Sequence, residues 1–412
     1  MELANILLIL VCPAMLFGGL LFPRLAFSHK LARVVFALVA VSATALVVLT
    51  VRTTNVKLAL GLGFFGPCMA VRSIMMFLVH EPWKDFAALR LSRTDSYHNL
   101  EIEWQTFPSN SLTARFSWVL NLVLDTRALG WCYSASKGRP CHFHSRLMSQ
   151  RFAADKQWCA IANIHKTILG ALFRILLAII TVDCCLVYLV PALQRHYQEQ
   201  PLDPLDNRQG DWLFTLPNFS STLSLSFIFI DAFYCMSRLI SAVLFLSGDT
   251  NSLIGVMQPS PWGSLTSLYY RGLGGLWGDL WHDYFRLEFS SVAAWATKPL
   301  VGSVHPNIVR VAHLFTVFFL SGIAHTCASY MLPSSYHPVR RTLLFFLLQP
   351  IAIVAQKLIA PTLKVLIGSM TVYRIVQLIM TLMWACLMLD LVFDDLLLGG
   401  VWEARFIRVL PL

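Results

Sequence analysis

About eight apolar stretches, each long enough to cross a lipid bilayer, constrain this chain more than any other feature of its sequence. A helix needs about 20 predominantly apolar residues to span the hydrocarbon core of a membrane. The predicted spans are 5–22, 31–50, 57–79, 168–192, 222–246, 308–331, 342–360 and 373–398. The sequence therefore predicts an all-α polytopic membrane bundle that forms one membrane-embedded domain over residues 1–412.

Composition and charge agree with a membrane protein. Hydrophobic residues make up 57% of the chain and charged residues 13%, whereas a soluble domain has about 25% charged residues. The net charge of +10 is typical of basic loops that face the cytosol and anionic lipid. We therefore expect the lipid bilayer as a partner and no nucleic acid. The first span lacks a basic segment before it and a clear cleavage site, which favours a retained helix over a signal peptide.

Basic residues also predict the orientation. The long polar and amphipathic segment 80–167 carries about a third of the 32 Lys and Arg residues, which places it on the cytosolic side. The loop 193–221 then faces the lumen, as expected for a protein of the endoplasmic reticulum. Asn218 begins an Asn-Phe-Ser glycosylation sequon in this loop, close to the next span.

The ten cysteines predict neither a disulfide framework nor a zinc ribbon. None of them forms Cys-x-x-Cys, and most lie in apolar runs, where cysteine behaves as a small hydrophobic residue. Cys141, His142 and His144 lie close enough in sequence to ligate a metal. No matching second pair of ligands follows, so no metal site is predicted.

Ionisable groups inside membrane spans are costly and are functional candidates by default. Asp231 and Arg238 are seven residues apart, so they share a helix face and can pair with each other or with a neighbour. The whole set is Arg72, Arg174, Asp183, Asp231, Arg238, Arg310, His313, His325, Lys357, Arg374, Asp390 and Asp394. For most of them a structural role is expected.

His325 stands out from this set because it lies well inside the span 308–331 among small residues. Ser321, Gly322 and Ala324 let another helix or a ligand approach the backbone closely. A histidine can act as a base near neutral pH. The alternative is a hydrogen-bonded core histidine between packed helices.

A second unusual place is the Gly- and Trp-rich segment 274–286, within a motif region over about 250–331. Trp277 and Trp281 are four residues apart, so they would stack on one face of a helix. Four polar side chains crowd beside them, namely Asp279, His282, Asp283 and Arg286. Such a mixture is typical of an interfacial helix. The alternative is a half-buried re-entrant helix that lines a cavity and points polar groups at a substrate.

Two such histidines suggest acyl transfer. This reaction needs a base that takes the proton from a hydroxyl group and donors for the oxyanion that develops on the thioester carbonyl. The sequence contains no Gly-x-Ser-x-Gly nucleophile elbow, no P-loop and no Rossmann fingerprint. A covalent serine intermediate therefore has no support.

Residues 277–286 read Trp-Gly-Asp-Leu-Trp-His-Asp-Tyr-Phe-Arg, and residues 321–325 read Ser-Gly-Ile-Ala-His. This pair of motifs resembles the membrane-bound O-acyltransferase superfamily, in particular its fungal wax-synthase-like branch, which typically reads Phe-Trp-Gly-x-x-Trp-His before Ser-Gly-x-x-His. The stretch 114–131 is similar to the place where fungal members often carry Arg-Gly-x-Gly-Trp. The resemblance covers about 80–400.

The resemblance implies a helical bundle with re-entrant or interfacial helices around a catalytic tunnel. His325 corresponds to the catalytic histidine. His282 corresponds to the second motif position, where it would donate to the thioester carbonyl or hold the acceptor. Leu276 stands where Phe is usual and Thr326 where Glu or Leu is common, and neither departure removes a reacting group.

The remaining site residues follow from the same resemblance. Arg286 would either contact a phosphate of CoA or pair with Asp283. The expected substrate-binding residues are Trp277, Trp281, Asp279, Arg286 and Ser321.

The predicted function is transfer of an acyl group, with acetyl preferred, from acyl-CoA to a hydroxyl of a lipophilic, terpenoid-like secondary metabolite. Acyl-CoA is the co-substrate, and no permanently bound cofactor or metal is expected. A long-chain wax ester or sterol ester synthase is the alternative enzyme. A membrane transporter and a non-enzymatic scaffold are alternatives of other classes, although the sequence lacks the repeated halves typical of transporters.

Overall fold

The computed structural model describes residues 3–23, 30–93, 100–109, 111–133, 164–199, 212–247, 255–256, 258–333 and 339–399. Eight helices within these ranges are long and apolar enough to cross a membrane. They are Ala4–Leu21, Lys30–Thr50, Val56–Val79, Ile164–Val182, Ser226–Leu246, Pro306–Tyr330, Arg340–Ile367 and Met370–Leu389. The predicted all-α polytopic bundle is confirmed, because each predicted span overlaps one of these helices.

The helices and strands lie in two parts of the chain, one before and one after residues 134–163. The first part of the chain contains α1 (Leu3–Leu21), α2 (Lys30–Thr50), α3 (Val56–Ile74, extended by a π-helical turn Met75–Val79), α4 (Pro82–Asp85), β1 (Phe86–Arg93), β2 (Leu100–Gln105), α5 (Leu112–Leu124) and β3 (Trp131–Tyr133). The second part contains α6 (Ile164–Glu199), α7 (Trp212–Leu246), α8 (Thr266–Arg271), α9 (Leu273–Gly275, followed by a π-helical turn Leu276–Leu280), α10 (Arg286–Thr297), α11 (Pro306–Tyr330), α12 (Val339–Ile367) and α13 (Met370–Leu398).

Helix α11, which carries His325, lies between other helices of the bundle and packs against α3, α10 and α12. The outer faces of the spans carry large apolar side chains, such as Leu358 and Val365, which are 73% and 82% exposed. Such faces suit a lipid environment, since a soluble protein rarely exposes large contiguous apolar patches. The bundle therefore encloses His325 and offers its apolar exterior to the bilayer.

A three-stranded antiparallel sheet with the order β2-β1-β3 lies in the segment that follows α3. Leu91 pairs with Ile102 across β1 and β2, and Ala87 pairs with Cys132 across β1 and β3. The alternating sequence Leu-Glu-Ile-Glu-Trp-Gln of β2 is typical of a strand. The sequence interpretation treated this segment as polar and amphipathic and did not identify these strands. The sheet is a small addition to the all-α bundle.

Helices α6 and α7 shorten the predicted lumenal loop 193–221, because α6 runs to Glu199 and α7 begins at Trp212. Asn218 therefore lies within α7 and not in a loop. Glycosylation of Asn218 stays a prediction.

The cysteines depart in one respect from the sequence expectation. Cys132 is disulfide-bonded, a single bond that the expectation of no disulfide framework did not identify. The free cysteines among the described residues are Cys12, Cys68, Cys235, Cys327 and Cys386. The metal candidates Cys141, His142 and His144 lie outside the described residues.

Asp231 is joined to a neighbouring helix. Arg174 of α6 donates two hydrogen bonds to the carboxylate of Asp231 on α7, one of them at 3.0 Å. Arg238 donates to the carbonyl oxygen of Val256 at 3.0 Å. The expectation that Asp231 pairs with a neighbour is thereby met, and the pair stabilises the packing of α6 on α7.

Candidate active site

The side chain of His325 has a fixed hydrogen bond to its own helix. Its Nδ1 lies 2.8 Å from the carbonyl oxygen of Ser321. A carbonyl oxygen only accepts hydrogen bonds, so Nδ1 carries the proton and donates it. The neutral ring then has its lone pair on Nε2. The hydrogen bond from Nδ1 therefore prepares Nε2 as an acceptor of protons.

Two aromatic rings hold the His325 imidazole from two sides. Phe346 of α12 stacks on it with ring centroids 4.5 Å apart, and Phe64 of α3 meets it edge-on at 4.9 Å. Both contacts depend on glycines. A Cβ atom at Gly322 would lie 2.9 Å from the Cβ of Phe346, and one at Gly63 would lie 2.5 Å from the carbonyl oxygen of Cys327. The predicted close approach at the small residues around His325 is therefore real, and α3 and α12 provide it.

The Trp-rich segment is not one continuous helix, which corrects the sequence interpretation. The π-helical turn ends at Leu280, Trp281 is extended (φ −65°, ψ 148°), and α10 begins only at Arg286. Phe285 has a left-handed backbone conformation with φ 58°, which is uncommon for a bulky residue. His282 thus lies in the break between two helical pieces.

The tryptophans of this segment contact each other as predicted. The rings of Trp277 and Trp281 are 5.6 Å apart, edge to face. The Trp277 indole donates to the Oε1 atom of Gln349 at 3.2 Å, and Trp384 donates to the same oxygen at 3.0 Å. Gln349 is 2% exposed. One buried amide therefore fixes two indoles between α12, α13 and the π-helical turn.

His282 is a neutral imidazole with one unpartnered nitrogen among the described residues. Its Nδ1 is buried and has no hydrogen-bond partner among the described residues. Burial in the protein lowers the pKa of His282 to about 3, and the nearby charges of His325, Arg286 and Arg127 act in the same direction. The two candidate histidines are therefore close enough for their charges to interact. A neutral imidazole with a free ring nitrogen can bind a polar group of a substrate.

The other predicted substrate-binding residues have these contacts in the structure. Asp279 forms an ion pair with Arg271, and its side chain is 37% exposed. Arg286 donates to the carbonyl oxygens of Gly278 at 2.9 Å and Trp281 at 3.4 Å. The alternative that Arg286 pairs with Asp283 is wrong, because Asp283 binds another arginine. Ser321 acts through its backbone, since its carbonyl oxygen accepts the hydrogen bond from His325.

Two residues of this site were missed by the sequence reasoning. Arg127 donates to both carboxylate oxygens of Asp283, at 2.6 and 3.0 Å. Tyr284 lies 5.7 Å from the His282 ring, and its hydroxyl group is buried without a partner among the described residues. Arg127 had a signal in the sequence, because the stretch 114–131 ends in Arg-Ala-Leu-Gly-Trp, residues 127–131, which is similar to Arg-Gly-x-Gly-Trp. The corresponding signal for Tyr284 was its position two residues after His282.

Residues 258–348 match the model of the family "Membrane bound O-acyl transferase family". The matched range holds both candidate histidines and the ring of Phe346, and covers less than a quarter of the 412-residue chain. No curated protein and no solved structure matches the chain. Eight candidate membrane spans support an integral multi-pass membrane protein, and the match shows that the segment with the two candidate histidines is similar to this family.

Proposed function

We propose that this protein is a membrane O-acyltransferase that moves an acetyl group from acetyl-CoA to a hydroxyl group of a lipophilic, terpenoid-like acceptor. The observation that carries this proposal is the hydrogen bond from His325 Nδ1 to the Ser321 carbonyl oxygen. It leaves Nε2 as a base in a helix that packs between α3, α10 and α12. The matched family range supports the reaction class.

In the proposed reaction, Nε2 of His325 takes the proton of the acceptor hydroxyl group as the oxygen attacks the thioester carbonyl carbon. A C–O bond forms, and the carbonyl electron pair moves to the oxygen. The tetrahedral intermediate then collapses, the C–S bond breaks, and the CoA sulfur leaves as a thiolate that takes the proton from His325. General base catalysis of this kind contributes about 10²- to 10⁴-fold to the rate.

The surrounding residues have roles that follow from their contacts. His282 orients the acceptor or donates to the developing oxyanion, because its neutral ring has a free nitrogen. Trp277 and Trp281 shape the walls of the site. Arg286 is the proposed phosphate contact for CoA, since no carboxylate forms an ion pair with it in the described part of the chain. Asp279 would act at the rim.

The acetyl donor and the terpenoid acceptor are proposed from the resemblance to the fungal wax-synthase-like branch. The proposed location is the endoplasmic reticulum, with acyl-CoA as a soluble co-substrate and the alcohol drawn from the bilayer. No metal and no permanently bound cofactor is needed for the steps above.

Donor choice is tested with microsomes that contain the expressed chain. Radiolabelled acetyl-CoA and palmitoyl-CoA are each supplied with farnesol, ergosterol and hexadecanol, and ester products are counted after extraction. We expect acetyl esters of the isoprenoid alcohol to exceed palmitoyl esters. A clear preference for palmitoyl-CoA would instead identify a wax ester or sterol ester synthase. No CoA-dependent ester with any donor would favour a transporter or scaffold.

The base is tested by His325→Gln, which keeps a polar side chain of similar size. We expect ester formation to fall by about 10²-fold or more at an unchanged level of protein in the membrane. His313→Gln is the matched control, because His313 lies on the same helix α11 and has no place in the proposed reaction. Full activity of His325→Gln would refute the assignment of the base.

A further inference from the structure

Arg127 joins two long segments that are far apart in sequence. It lies in the turn between α5 and β3 and is 7% exposed. Its guanidinium group binds the carboxylate of Asp283 in a bidentate manner, at 2.6 and 3.0 Å. Bidentate Arg–carboxylate pairs are the most directional ion pairs that proteins form. The Arg127–Asp283 pair thus fixes the residue directly after His282.

The same guanidinium group also binds the chain before the Trp-rich segment. It donates to the carbonyl oxygens of Pro259 at 2.8 Å and Ser260 at 3.2 Å, and to the side chain of Gln258 at 3.4 Å. One arginine therefore holds both ends of the segment 258–283, which contains His282. Its positive charge also lies 5.6 Å from the centre of the Tyr284 ring.

Backbone contacts strengthen this junction. The amide of Phe285 donates to the carbonyl oxygen of Thr126 at 3.0 Å. Phe285 and Ala128 are the residues other than glycine with positive φ in the described part of the chain, at 58° and 51°. Strained backbone of this kind persists only where the surrounding contacts determine it. Both strained residues flank the Arg127–Asp283 pair.

We infer that Arg127 is a positioning residue for His282, and that it acts through Asp283. His282 lies outside any helix, because the π-helical turn ends at Leu280 and α10 begins at Arg286. Helical hydrogen bonds therefore do not fix its backbone, whereas the Arg127–Asp283 pair does. Loss of the pair moves the imidazole relative to His325, and a misplacement of about 1 Å can lower a rate by about 10²-fold. This inference rests on the proposed function.

Two variants test this inference in the full-length protein. Arg127→Ala removes every bond of the guanidinium group. Asp283→Asn keeps the shape of the side chain and leaves Arg127 its carbonyl partners, so it keeps the fold if Arg127→Ala does not. Arg115→Ala is the matched control, because Arg115 lies in the same segment and also binds backbone carbonyls, those of Pro108 at 3.0 Å and Ser109.

The kinetic readout separates positioning from binding. With acetyl-CoA and the best alcohol of the panel above, we expect kcat of Asp283→Asn to fall about 10- to 100-fold, with KM of each substrate changed less than about three-fold. Arg115→Ala should keep the wild-type kcat. Wild-type kcat in both Arg127→Ala and Asp283→Asn would overturn the inference, while His325→Gln would still report on the reaction itself.

A second readout does not need activity. Diethylpyrocarbonate modifies accessible neutral imidazoles, and mass spectrometry assigns the modified residue. We expect labelling of His282 to rise at least about three-fold in Asp283→Asn, as for a locally opened segment, with labelling of His325 unchanged. Unchanged labelling of His282 would overturn the inference. An equal rise at both histidines would also overturn it, because that result indicates general loosening of the fold.

Discussion

The buried ion pair between Arg72 and Glu288 supports the fold beneath the candidate site. Arg72 lies in the third span and is 2% exposed, and Glu288 of α10 is fully buried. Besides the carboxylate, the Arg72 guanidinium group binds the carbonyl oxygens of Leu122 at 3.3 Å and Val123. It also donates to the carbonyl oxygen of Asp125 at 3.0 Å. These carbonyls belong to the C-terminal end of α5, where helical partners are missing.

Replacement of Arg72 is therefore expected to cost more stability than replacement of Glu288. Arg72→Met leaves the buried charge of Glu288 unpaired and deprives the end of α5 of its donor. Breaking a buried ion pair in this way costs about 3–5 kcal/mol. Glu288→Gln keeps an acceptor of similar shape and leaves Arg72 its carbonyl partners. We expect that substitution to cost about 1.5–3 kcal/mol, the value of a hydrogen bond to a charged group.

The assay is denaturant unfolding of the purified protein in mixed detergent micelles, followed by tryptophan fluorescence. The double variant Arg72→Met/Glu288→Gln should be at least about 1 kcal/mol more stable than the sum of the single effects predicts. Arg52→Met is the control, because the exposed Arg52 donates hydrogen bonds to the carbonyl oxygens of Val48 and Val51 and lies 4.8 Å from the centre of the Tyr330 ring. Its effect should stay below about 1 kcal/mol. Additive single effects, or a larger cost for Glu288→Gln than for Arg72→Met, would refute this reasoning.

Three further predictions concern the site. Tyr284→Phe removes a buried hydroxyl group without a partner among the described residues, so it should stabilise the substrate-free protein by about 1 kcal/mol. A thermal unfolding scan measures the change, and an unchanged midpoint would contradict a cost of the unpaired hydroxyl group. The pKa of His282 is about 3 in the folded protein and about 6.5 in the unfolded chain. At a pH between these two pKa values, His282 is therefore protonated in the unfolded chain and neutral in the folded protein. His282 thus destabilises the fold by about 1.4 kcal/mol for each pH unit below 6.5, and His282→Asn should lose less stability than wild type between pH 7 and 5.5. Gly63→Ala should lower stability by about 1–3 kcal/mol and reduce activity, because the added Cβ meets α11 beside His325. Gly61→Ala is the control and should leave stability and activity intact, because its added Cβ would point into open space.

The spans could be predicted from the sequence because transfer of a helix into lipid depends on its own composition. Each residue of the helix adds its own contribution to the free energy of transfer, and the backbone hydrogen bonds are satisfied within the helix. The same local reasoning located His325, since Ser321, Gly322 and Ala324 surround it in the chain. It did not predict the sheet of β1, β2 and β3, because the partner of each strand lies elsewhere along the chain.

The contacts around His282 show where local reasoning ends. Trp277 and Trp281 were predicted to touch, since four residues separate them. The pair of Arg127 and Asp283 was not predicted, because the two residues are 156 positions apart in the chain. The expectation of one helix across 274–286 was wrong for a related reason. The contacts of Arg127 and the amide of Phe285 with a distant turn stabilise an extended break where the local pattern favours a helix.

The sequence by itself thus determined the membrane environment and the number of spans, and it singled out the two candidate histidines, since hydropathy and short motifs are properties of neighbouring residues. Only the tertiary structure decided which rings enclose His325 and which arginine holds the segment that contains His282. Those features depend on hydrogen-bond geometry between α3, α11, α12 and the two long connecting segments. Geometry of this kind exists only after the chain has brought distant residues within about 3 Å of each other.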